Sequence, residues 1–199
     1  MSGKTASYTA FLGTERIASG DLRSVATEAK ARLDAGNVSP LLIFDDVTSQ
    51  PVELDLRGTL AEVLARLPNP AEAPQGEAES AEIRSPGRPK LGVVAREVTL
   101  LPRHWEWLGS QPGGASVTLR KLVEAARKSH AEEDRLRESR EAAYRFMTAM
   151  GGNEAGFEAA IRALFAGQRE PFEESLKTWP PDVRQHARDL AGEAFPAAE

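Results

Sequence analysis

Tyr8-Thr9-Ala10-Phe11-Leu12-Gly13-Thr14-Glu15-Arg16-Ile17-Ala18-Ser19 opens the first folded region of the chain. Tyr8 to Leu12 and Arg16 to Ser19 flank a Gly13-Thr14 turn, which is the pattern of a β-hairpin. Just downstream, Leu22, Val25, Ala26, Ala29 and Leu33 recur at helical spacing, and Gly36-Asn37 stops that helix. Leu41 to Phe44 is a short apolar strand. Val52, Leu54 and Leu56 alternate with the acidic Glu53 and Asp55, which predicts a half-buried strand. Thr59 is placed to cap a last helix that runs through Leu67 and is closed by Pro68. Residues 1–67 therefore read as a small ββαββα unit, and the fold class as α+β.

The segments beyond it differ in composition. Residues 68–89 are Pro, Glu, Ala, Gly and Ser with almost no apolar bulk. Such a stretch cannot bury enough surface to offset its chain entropy and is expected to be a flexible linker. Residues 90–130 form a basic module. Residues 131–199 carry four apolar stripes at helical spacing: Leu136 to Met150, Phe157 to Phe165, Phe172 to Trp179 and Val183 to Leu190. Gly151-Gly152, Gly167 and Pro180-Pro181 separate them. The sequence leaves open whether the N-terminal unit packs against the rest or swings on the linker.

Composition narrows the class. The chain has 199 residues, 41% hydrophobic and 28% charged, enough for a real core in one domain or two small ones. The absence of cysteine excludes disulfides, thiolate metal sites and a thiol nucleophile. No apolar run approaches the roughly 18 residues of a membrane span. Met1 to Ser7 are polar with no apolar signal-peptide stretch behind them, so a cytoplasmic protein is expected, with no membrane partner. The net charge of -5 is uneven. Residues 1–80 hold 7 basic and 12 acidic side chains, residues 81–130 hold 9 and 4, and residues 131–199 hold 9 and 14. A basic middle between acidic flanks attracts polyanions, or simply neutralises its own flanks.

Within the module, Arg96-Glu97-Val98-Thr99-Leu100-Leu101-Pro102 reads as a strand ending in Leu-Pro. Arg103-His104-Trp105-Glu106-Trp107-Leu108 is a short helix with Pro102 in its first turn. A Pro-Gly-Gly break follows, then Ser116 as the candidate N-cap of a second helix with Leu119, Leu122, Val123 and Ala126 on its apolar side. Trp105 and Trp107, two residues apart, cannot share one helix face. One is expected in the core and the other at a dimer or interdomain contact.

This order of strand, Leu-Pro, helix, glycine turn and capped helix resembles the ribbon-helix-helix DNA-binding proteins over Arg96 to Lys128, most tellingly at Gly114-Ala115-Ser116-Val117-Thr118-Leu119-Arg120-Lys121-Leu122-Val123. The resemblance implies a homodimer whose paired strands enter the major groove. Arg96, Val98 and Leu100 would then face DNA, and the second helix would aim its N-terminal amides at a phosphate. A second register turns Val98 and Leu100 inward and exposes Thr99. Upstream, Gly87-Arg88-Pro89-Lys90 resembles an AT-hook, which implies an arginine laid into a narrow minor groove. The DNA-binding candidates are Arg88, Lys90, Arg96, Arg103, Ser116, Arg120 and Lys121.

Leu42-Ile43-Phe44-Asp45-Asp46, Asp55-Leu56-Arg57-Gly58-Thr59, Gly87-Arg88-Pro89-Lys90-Leu91-Gly92-Val93 and Leu101-Pro102-Arg103-His104-Trp105-Glu106-Trp107-Leu108 together resemble a bacterial family known only as a domain of unknown function. That resemblance implies a bacterial source and no particular activity.

Nothing in the sequence reads as catalytic. His104, His130 and His186 lie in separate segments without metal-ligand spacing, and there is no phosphate loop, dinucleotide fingerprint or nucleophile elbow. Adjacent acids such as Asp45-Asp46 are usually solvated turn residues. No enzyme, metal or cofactor is expected. The expected function is that of a homodimeric DNA-binding transcriptional regulator, whose N-terminal domain has a possible protein partner. The alternative is a protein-interaction scaffold or antitoxin-like dimer that uses the same unit without DNA.

Overall fold

The computed structural model describes residues 6–68, 94 and 96–196. It divides into two compact units. One combines the chain to Pro68 with everything from Glu132 onward; the other is residues 69–131.

In the first unit, β1 (Tyr8–Leu12) pairs antiparallel with both β2 (Glu15–Gly20) and β3 (Leu41–Asp45), giving the order β2-β1-β3. As the central strand, β1 is covered on both sides. Successive side chains of a strand point to opposite faces. Ala10 and its cross-strand partner Ile43 therefore face α1 (Leu22–Asp34), where Val25 and Ala29 close a small core. Phe11 and Phe44 face the other way, into a larger core built from the end of the chain.

Local signals start the helices where the sequence places them. Asp21 caps α1 by accepting from the amides of Arg23 and Ser24 at 3.0 and 3.1 Å. The Ser24 hydroxyl, donating to Asp21 Oδ2 at 2.6 Å, and then the Ser24 and Arg23 amides hold the Asp21 carboxyl below its usual range. At α2 (Leu60–Arg66), Thr59 and Glu62 form a reciprocal capping box.

The stretch expected as a fourth strand does not join the sheet. Val52, Leu54 and Leu56 are half-buried and alternate with exposed neighbours, as the pattern requires, and they pack on the cores around α1 and α2. Only its start is tied to the sheet, through the Phe44–Pro51 bridge and the Val52 amide donating to the Ile43 carbonyl at 2.7 Å. The backbone then turns to α2, where the Arg66 guanidinium donates to the carbonyls of Asp55 and Arg57. Alternating burial reports a covered face; it does not require a ladder partner. The topology is ββαβα.

The far end supplies α5 (Ala131–Gly151), α6 (Phe157–Ala166), α7 (Arg169–Ser175) and α8 (Pro181–Leu190), followed by a 3-10 turn at Ala191–Glu193. Pro181 begins α8 at its first position, where the missing amide costs no helical hydrogen bond. Phe146, Met147, Leu164, Phe172, Leu176, Trp179, Val183 and Phe195 join Phe11 and Phe44 in one core. Phe146 stands 5.4 Å from Phe11 and 5.3 Å from Phe44 between ring centres. The two ends of the chain thus share a hydrophobic core.

The second unit contains α3 (Pro102–Ser110) and α4 (Gly114–Ser129), which pack against each other. Residues 96–100, expected as a strand, form no ladder among the described residues.

Candidate functional site

Two places in the molecule gather polar chemistry. The first is the basic module. Pro102 sits at the first position of α3 as expected. α4 starts three residues earlier than the Ser116 cap predicts. Its N-cap is Gly113 in the left-handed region (φ 89°), followed by Gly114 at φ 72°. Two consecutive glycines can hold positive φ without steric cost, so the chain closes the turn there and Ser116 falls inside the first helical turn. The Gly114 amide donates to the Gln111 carbonyl at 2.9 Å, and no side chain caps the amides that follow it, which leaves them to an external acceptor.

Arg96, Arg103, Ser116, Arg120 and Lys121 are all exposed. Among the described residues none of these four cations has a carboxylate partner. Arg120 donates to its own helix at the Ser116 carbonyl (3.2 Å), and Arg103 reaches only His104 (3.4 Å). Further along, Arg127 is paired with Glu124. Arg88 and Lys90 lie outside the described residues. The tryptophans depart from expectation: Trp105 and Trp107 are 43% and 51% exposed, and Leu108 is the buried residue of α3. A nine-residue helix packed on one neighbour buries one narrow stripe, and Leu108 occupies it. Val98, Leu101, Leu122 and Val123 are exposed too, and α4 buries none of its sixteen residues.

The second place is a cleft of about 450 Å³ in the first unit, between β1, β2, the turn after β3, α5 and α8. His186, 5% exposed, lines it from α8, with its ring edge-on to Phe146 (4.5 Å between centres) and to Phe11 (5.5 Å). Its Nε2 is buried without a hydrogen-bond partner. Asp46 faces the same cleft. Its Oδ2 accepts from the Ser7 hydroxyl at 2.6 Å, while its Oδ1 is buried and unpartnered. Arg16, Arg135, Glu138, Asp189 and Glu193 complete the charged lining. Among the described residues no three His, Asp or Glu side chains are grouped to hold a metal ion.

Burial pushes the His186 imidazole below its usual pKa, outweighing Asp46 and Asp189, which raise it; Arg16 lowers it further. The folded protein therefore resists a proton that the unfolded chain accepts near pH 6.5. Stability should fall as pH drops below about 6.5, by at most about 1.4 kcal/mol per pH unit for this one site, until the folded-state value is reached. Denaturation midpoints between about pH 5 and 7 should show this slope, and His186→Phe should flatten it. The depressed carboxyls of Asp21, Asp55 and Glu62 act in a more acidic window, because their contribution is present above the unfolded carboxyl pKa and is lost as pH falls through the depressed one.

In the sequence the chain's three histidines are weighed only for metal-ligand spacing, which they lack, and this cleft is passed over. A usable signal existed: Val183, His186, Ala187 and Leu190 stand at i, i+3, i+4 and i+7, so His186 is a polar residue in an apolar stripe. The Asp45-Asp46 pair separates into two roles. Asp45 accepts from the amides of Val47 and Thr48 in a turn, and Asp46 turns to the cleft.

The model of an uncharacterised family conserved in bacteria, DUF2239, matches residues 7–191. The chain belongs to the DUF2239 family. The match takes in the N-terminal sheet, the basic module and the C-terminal helices, and with them the basic module's described cations and every residue lining the cleft except Gly192 and Glu193. No curated protein matches the chain, and no solved structure does. Among the described residues no helix is long and apolar enough to cross a membrane.

Proposed function

We propose that residues 88–129 bind DNA and that the protein acts as a homodimeric transcriptional regulator. The observation that carries this reading is the set of exposed cations Arg96, Arg103, Arg120 and Lys121, none with a carboxylate partner among the described residues. Unpaired cations gain most from a polyanion, which releases its counterions on contact. The uncapped, glycine-started α4 supports the same reading, since open helix amides suit a phosphate oxygen. In a dimer, residues 96–101 of two copies would pair as the ribbon, and Arg88 and Lys90 would track the minor groove.

Fluorescence anisotropy on a labelled A·T-rich duplex across a salt series tests it. Affinity should fall steeply with salt, and each phosphate contact removed should lower the logarithmic slope by about 0.9. Arg120→Ala with Lys121→Ala, and separately Arg88→Ala with Lys90→Ala, should each show a shallower slope. Failure of the wild type to bind at low salt would remove the DNA reading.

A second reading is a protein-interaction scaffold or antitoxin-like dimer. The exposed Val98, Leu101, Trp105, Trp107, Leu122 and Val123 favour it, because such apolar side chains are the material of a protein contact. Dimerisation without duplex affinity is its signature.

A further inference from the structure

The cleft beside His186 is built unlike an ordinary surface groove. Two residues that line it carry buried polar atoms without partners, His186 Nε2 and Asp46 Oδ1, and the His186 ring is held edge-on by Phe11 and Phe146 behind it. Buried polar atoms are almost always satisfied, and leaving one unpaired is costly. An ionised Asp46 can only accept a hydrogen bond, and a neutral imidazole nitrogen can also accept one. With the imidazole proton on Nδ1, a donor with more than one hydrogen satisfies both. A primary ammonium meets that need and also answers the negative charge of Asp46.

The rest of the lining has both signs. Arg16 and Arg135 stand among Glu138, Asp189 and Glu193, so the same cleft also holds donors for an anionic group. Its volume of about 450 Å³ falls within the size range of small-molecule sites. We infer that this cleft binds a free α-amino acid: the ammonium sits between Asp46 Oδ1 and His186 Nε2, and the carboxylate is held from the arginine side. The inference does not rest on the DNA reading, and its test contains no nucleic acid.

The full-length protein is screened by thermal denaturation with each proteinogenic amino acid at ~10 mM, and hits are confirmed by ligand-observed NMR. At least one amino acid should raise the melting temperature. Asp46→Asn, which keeps an acceptor for Ser7 but loses the charge, should weaken the hit by roughly tenfold or more. His186→Phe, which keeps the aromatic packing, should weaken it likewise. Near-UV circular dichroism of both variants should match the wild type, so that loss of binding is separated from loss of fold. A hit amino acid stripped of its amino group should not bind. The proposal is overturned if no amino acid shifts the wild-type transition, as when water alone fills the cleft. It is equally overturned if binding persists unchanged in Asp46→Asn.

Discussion

Phe146→Ala should lower the unfolding free energy by about 3–5 kcal/mol, a large share of the roughly 5–15 kcal/mol typical of a domain. Phe146 is fully buried and lies between Phe11 of β1, Phe44 of β3 and His186 of α8. Deleting its ring removes packing from both ends of the chain at once, and rings held by two strands and a helix cannot collapse into the space. A urea titration reads the loss as a fall in midpoint at nearly unchanged slope. Amide exchange should speed up together in β1 and in α8, because both face the same lost ring. Faster exchange in α8 with β1 unchanged would mean that the sheet and the helices are stabilised separately.

The second large effect is expected where α5 ends. A methyl group on Gly151 would overlap the Cζ3 and Cη2 atoms of Trp179. The indole has little freedom to retreat. Trp179 is 2% exposed, its Nε1 donates to the Ala155 carbonyl at 3.0 Å, and its ring stacks on Phe157. Gly151→Ala should therefore destabilise by about 1–3 kcal/mol through overpacking, although alanine is ordinarily the better helix residue. Trp179→Ala alone should cost about 3–5 kcal/mol. In that background Gly151→Ala should become neutral or stabilising, because the steric cost has gone and helix propensity remains. A double-mutant cycle from denaturant titrations would reveal the coupling, whereas strict additivity would place the cost of Gly151→Ala in the local backbone.

Much of the fold was legible locally. The hairpin from Tyr8, the helix capped by Asp21, the strand at Leu41 and the Thr59 capping box are each fixed by groups within a few residues of one another. The C-terminal helices were legible through their apolar stripes and the glycines between them. The reading faltered where one signal has two structural sources. Alternation at Val52, Leu54 and Leu56 implied a ladder, but a covered extended segment gives the same burial. Ser116 is a good capping residue, yet Gly113 and Gly114 turn the chain first. The exposed tryptophans follow from a short helix with a single buried position.

The candidate places divide in the same way. The unpaired cations of the module are visible in the sequence, because charge and helical spacing are local properties. The cleft was not: the apolar stripe around His186 marks that residue alone, and nothing local ties it to Asp46, 140 residues away.

By itself, then, the sequence determined the α+β class, most element boundaries, the basic middle and the absence of cysteine chemistry. Only the tertiary structure decided that β1 is covered on both faces, that the first and last segments of the chain close one core, and that Asp46 and His186, each with a buried unpartnered atom, line one cleft. The reason is physical: caps, turns and amphipathic periods depend on neighbours along the chain. Which face of Phe11 is covered, and by what, depends on side chains brought together only when the whole apolar surface is buried.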